Sequence, residues 1–108
     1  MTGESEFWQR IIPLKTAYRR VVMAALALAQ GDVFLARERL GAAQTAISWA
    51  RDRGILDLQT ARYLQGLIGS RIAALERGNH ATTGALEYVA DRILLVICRL
   101  YRRVMRGG

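Results

Sequence analysis

The chain is short of nearly every residue type on which protein chemistry is built. It holds one cysteine (Cys98), one histidine (His80), one proline (Pro13) and one lysine (Lys15). A lone cysteine excludes an intrachain disulfide and any cysteine-built metal site. Its apolar neighbours predict a small core residue for Cys98 rather than a reactive thiol. His80 falls in the polar stretch Arg77-Gly78-Asn79-His80, where a solvated side chain is expected, with Glu76 as its only evident metal partner. That is too few ligands for a metal site. A Cys98–His80 nucleophile pair would need a mid-helix thiol to reach a loop about five turns away. The carboxylates Asp32, Asp57 and Glu87 fall where helix caps and first-turn charges are expected, which leaves Asp91 and Glu38 too scattered for a general acid and base pair. The expectation is a protein that is not an enzyme, with no cofactor and no metal.

Long apolar runs are missing too. In the last helical segment the longest, Ile93 to Cys98, is bounded by Arg92 and Arg99, far below the roughly 20 residues of a membrane-spanning helix. The start, MTGESEFWQR, is polar and acidic, with no basic region leading into an apolar one, so no secretory signal is expected. A hydrophobic content of 52% with a single proline excludes a disordered chain. Its 108 residues suit one domain, 1–108. A cytoplasmic location is expected, or a virion-associated one for a viral source.

What is present is helical periodicity. Ile11, Leu14, Tyr18, Val22, Ala25 and Ala29 recur every three or four residues. They predict a first helix over 5–30, with Ser5 as N-cap and Pro13 either kinking it or marking its first true turn. Gly31-Asp32 ends it and caps a second helix over 32–53, whose seam is Val33, Ala36, Leu40, Ala43, Ile47 and Ala50. Asp57 caps a third, 57–77, which buries Ala61, Leu64, Ile68, Ile72 and Leu75 and carries Gly66 and Gly69 inside it. Thr82 or Thr83 caps a fourth, 82–106. No strand-like alternation and no glycine-rich phosphate loop occurs. The predicted fold is all-α, a single-domain antiparallel four-helix bundle with short connections.

Ala29-Gln30-Gly31-Asp32-Val33, followed by Ala36, Leu40 and Ala43, resembles the turn and second helix of a tetratricopeptide hairpin. The resemblance covers under a quarter of the chain. No second copy follows at the required period of about 34 residues, so it assigns no family.

The fourth segment carries the strongest functional signal. Its apolar side chains, Leu86 through Met105, cover about 200° of helix, against the roughly 100° a surface helix needs. Arg92, Arg99, Arg103 and Arg106 form a row about 20 Å long, with Arg102 on its edge. Five arginines and no acid follow Asp91, out of a formal net charge of +7. Such a row can track a phosphate backbone, and it has no Asn or Gln to read bases. Arg19 and Arg20 would extend it if the first and last helices are neighbours. Solvation, and the favourable end of the helix dipole, also account for arginines there.

The over-wide apolar arc predicts a homo-oligomer through Leu95, Val96, Leu100 and Val104. The expected function is therefore a self-associating, non-enzymatic and structural or nucleoprotein role, binding nucleic acid or another polyanion without sequence specificity. The alternative is an adaptor whose helical hairpins dock a helix of a partner protein.

Overall fold

A computed structural model describes residues 2–78 and 83–107. Among these residues all regular structure is helical: α1 (Thr2–Arg10), α2 (Ile12–Ala29), α3 (Val33–Asp52), α4 (Leu58–Glu76) and α5 (Thr83–Gly107). The body measures 47 × 24 × 17 Å. α2 packs most extensively on α3 and next on α5, α3 packs on α4, and α4 meets α5 over a shorter stretch. α1 touches only the ends of α2 and α5.

The helix expected over 5–30 is two helices. The chain turns at Ile11, with φ −95° and ψ 19°, and Pro13 sits at the start of α2. There its missing N–H is one of those a helix leaves unpaired anyway. Ser5 is not an N-cap: α1 already begins at Thr2 and Ser5 lies exposed within it. The segment before Pro13 stays helical because Phe7 and Ile11, one turn apart, are both buried. Thr83 opens α5, while Thr82, Asn79 and His80 lie outside the described residues.

The turns follow from single residues. Gly31 takes φ +82°, a left-handed value that L side chains rarely adopt. Asp32 then accepts a 2.9 Å hydrogen bond from the Leu35 N–H, capping α3. Gly54, at φ +75°, and Asp57, which accepts from the Thr60 N–H at 2.6 Å, repeat the device before α4. Between them Ile55 and Leu56 tuck into the core.

Alanine dominates the central contact. Ala17, Ala24 and Ala27 of α2 and Ala36, Ala43, Ala46 and Ala50 of α3 are all buried, and side chains this small let helix axes approach closely. Leu14, Val21, Leu40 and Ile47 fill the remaining space, with Leu64 and Ile68 from α4 and Leu86, Val89 and Ile93 from α5. No polar or charged residue is buried among the described residues.

The two glycines within α4 differ in kind. A Cβ on Gly69 would meet Gln44 Nε2 at 3.2 Å, whereas one on Gly66 meets nothing within 4 Å. Gln44 uses that gap to donate to the Gln65 carbonyl at 3.3 Å, and Gln65 Nε2 donates to Ser48 Oγ at 2.7 Å. Gly69 thus makes room for a polar clasp between α3 and α4. Nothing in the structure explains Gly66. Gly66→Ala is expected to stabilise the fold by up to about 1 kcal/mol through helix propensity, read from the urea midpoint. Gly69→Ala should forfeit that gain, because the Gln44 amide must shift; equal gains at both positions would contradict this assignment.

Candidate functional site

α5 buries Leu86, Val89, Ala90, Ile93 and Ile97 against the other helices. What remains divides into two faces lying on opposite sides of that stripe.

The first face looks toward α4. Arg92, Arg99 and Arg103 fall within about 40° of one another around α5 and border recesses shared with α4 and the α3–α4 turn. Arg92 Nε donates to the Tyr63 hydroxyl at 3.1 Å, and the guanidinium lies 5.9 Å from the Tyr63 ring and 6.0 Å from the Tyr88 ring. Both rings are largely exposed, at 43% and 54%. Arg99 and Arg103 flank a cavity of about 350 Å³ with Asp57 and Thr60. The Thr60 N–H and then its hydroxyl hold the Asp57 carboxyl below its ordinary 3.8, with Arg103 adding to the effect. Arg106 continues the row and is exposed. Among the described residues the ion pairs are Arg37–Glu76 and Arg51–Asp52, so none of these arginines is neutralised by a carboxylate in contact.

The second face looks toward α2. A groove of about 520 Å³ is lined by Trp8, Tyr18, Val22, Leu94, Ile97 and Tyr101, with Lys15, Arg19 and Arg102 among its walls. The arginines named from the sequence are therefore not one patch. Arg102 joins Lys15 and Arg19 in this groove, away from Arg92, Arg99 and Arg103. Arg20 is half-buried and lies about 100° from Arg19 around α2, outside the groove.

Of the residues expected to self-associate, Val96 and Leu100 pack against the core, while Leu95 (42%) and Val104 (37%) are exposed. Cys98 is a correction: it is exposed rather than a core residue. It lies about 140° around the helix from Ile93 and lines the open α2–α5 groove instead of the buried stripe. Tyr63 and Tyr88 were missed in the sequence reading. Tyr88 stands one turn before Arg92, a detectable spacing; Tyr63 comes from α4, and only the fold brings it there.

α1 closes one end of the groove. The Tyr101 hydroxyl donates to Glu4 Oε2 at 2.8 Å, the Phe7 ring meets Tyr101 edge-on at 5.4 Å, and Trp8 stacks on it at 5.7 Å. The hydrogen bond to Glu4, and then its negative charge, raise the Tyr101 phenol above its ordinary 10.0. A raised value means the contact is fully present below about pH 10 and is lost as the pH climbs through the folded-state value. Glu4→Gln should bring the Tyr101 titration back toward 10.0 and leave the other tyrosines unmoved, as followed by ultraviolet difference absorbance. An unchanged Tyr101 would show that α1 is not docked in this way.

No described helix is long and apolar enough to cross a membrane. Compared with known proteins, the chain matches no family model, no curated protein and no solved structure.

Proposed function

We propose that this chain is a non-enzymatic, nucleic-acid-binding protein that holds a phosphate backbone along the α4–α5 face without reading base sequence. In this reading α2 to α5 act as one antiparallel four-helix domain with α1 as its end cap, working in the cytoplasm or in a virion. The observation that carries it is the grouping of Arg92, Arg99 and Arg103 on one face, without carboxylate contacts, beside the exposed rings of Tyr63 and Tyr88.

The chemistry follows from the residue types. A guanidinium offers phosphate oxygens a planar fork of donors and stays charged at any working pH. The two tyrosines add π-faces on which unpaired bases of any sequence can stack. Arg92 is already oriented by the Tyr63 hydroxyl, so less rotamer freedom is lost on binding. One amide, Gln59, lines the recess with Arg92 and Arg99, and a single amide cannot read a run of bases. An adaptor role would instead draw on the apolar α2–α5 groove.

Fluorescence anisotropy with a labelled single-stranded RNA tests the reading. Phosphate contacts from Arg92, Arg99 and Arg103, with Arg106 continuing the row, predict a slope of log K against log salt of about −3 on a single strand. Arg99→Glu with Arg103→Glu should weaken binding by a factor on the order of 100 at low salt, with circular dichroism unchanged. Tyr63→Ala with Tyr88→Ala should weaken the single strand more than a duplex. Retention of full affinity by the folded arginine double variant would sink the proposal.

A further inference from the structure

The α2–α5 groove presents apolar surface and uncompensated charge together. Leu26 and Leu94 are exposed at 60% and 41%. The groove runs on from its 520 Å³ recess into a second of about 230 Å³, the two sharing Tyr18 and Val22. Its charges are sorted by end. Lys15, Arg19 and Arg102 sit where α1 closes the groove, and Glu87 and Asp91 at the far end, beside Leu26 and Ala29. None of these five forms an ion pair within its own chain among the described residues.

We infer that a second copy of this chain seats in the groove, about a two-fold axis passing near Val22 and Leu94. The pattern along the groove is basic, apolar, acidic. A two-fold axis across its middle reverses that order, so each basic end meets the acidic end of the other copy and the apolar centres meet each other. The two walls agree on where the axis falls. Val22 stands midway along the sequence between Lys15 and Ala29, and Leu94 about midway between Glu87 and Arg102. Nucleic acid or an anionic lipid surface would be repelled at the Glu87–Asp91 end, so neither fits the whole groove.

Neither Leu95 nor Val104 lines this groove, and the inference does not rest on the polyanion reading. It leaves Arg92, Arg99 and Arg103 free, so a dimer would carry two polyanion faces and gain avidity on a long strand.

Charge reversal tests the inference, with association measured by sedimentation velocity over a concentration series. The unaltered chain should dimerise. Arg19→Glu with Arg102→Glu makes both ends acidic, and Glu87→Arg with Asp91→Arg makes both ends basic. Each variant should dimerise at least about tenfold more weakly, a like-charge penalty, while an equimolar mixture should form a one-to-one heterodimer. Leu26→Arg, at an exposed position of the acidic end, should also weaken the dimer with helicity intact; it stands in if a charge-reversed variant does not fold. A monomeric unaltered chain overturns the inference. So does a dimer indifferent to these changes, or a mixture of folded variants that fails to associate. The dimer surface excludes Arg99 and Arg103, so loss of RNA binding by their double variant and loss of dimerisation are separately readable.

Discussion

Close packing of alanine against alanine between α2 and α3 is the contact on which the other arrangements depend. Each alanine buries little surface, so that pairing gains stability by bringing the helices near enough for Leu14, Val21, Leu40 and Ile47 to interlock. With its alanine side committed to α3, α2 presents Tyr18 and Val22 in another direction, and α5 lies there. α4 is held from the opposite side through α3, with the Gln44–Gln65–Ser48 clasp fixing its level. α5 then spans the gap between α2 and α4, and its leftover surface is divided between two grooves.

That division organises the functional reading. A helix that is apolar on one stripe and charged on the rest usually has one buried and one solvated side. Here the stripe is bordered on both sides by surface of different character. Toward α4 the arginines stand beside tyrosine rings, and the one nearby carboxylate, Asp57, is already engaged as the cap of α4. Toward α2 the surface is apolar with opposite charges at its two ends. A net charge of +7 creates a long-range pull on any polyanion, and on the first face the arginines outnumber the one carboxylate, Asp57. Our proposals assign the polyanion to that face and a second copy to the other.

The helical class, the Gly31-Asp32 and Gly54–Asp57 turns and the seam of α3 were all legible in the sequence, because each is written in neighbouring residues. The break at Ile11 was only half legible: Pro13 announced a helix start, but whether the preceding segment was also helical depended on Phe7 and Ile11 finding a place in the core. The apolar repeat read in α2 proved to be largely its groove side, where Tyr18 and Val22 are half-buried and Ala29 exposed. Its true core stripe includes Ala17, Ala24 and Ala27, and alanine gives too weak a hydropathy signal to reveal it. The arginine row was visible by spacing, since Arg92, Arg99 and Arg103 share one arc. Their meeting with Tyr63, and the separation of Arg102 to join Lys15 and Arg19, depend on which helices flank α5. Periodicity within one helix carries no information about that.

The central claim is that α5 serves two partners on two separate faces. Chemical-shift mapping of the isotopically labelled chain, titrated with short single-stranded RNA at low salt, tests it most directly. Perturbations should centre on Tyr63, Tyr88, Arg92, Arg99 and Arg103, with Lys15, Arg19, Leu26 and Leu94 essentially still. Equal perturbation of the α2–α5 groove, or none at the arginine face, would contradict it.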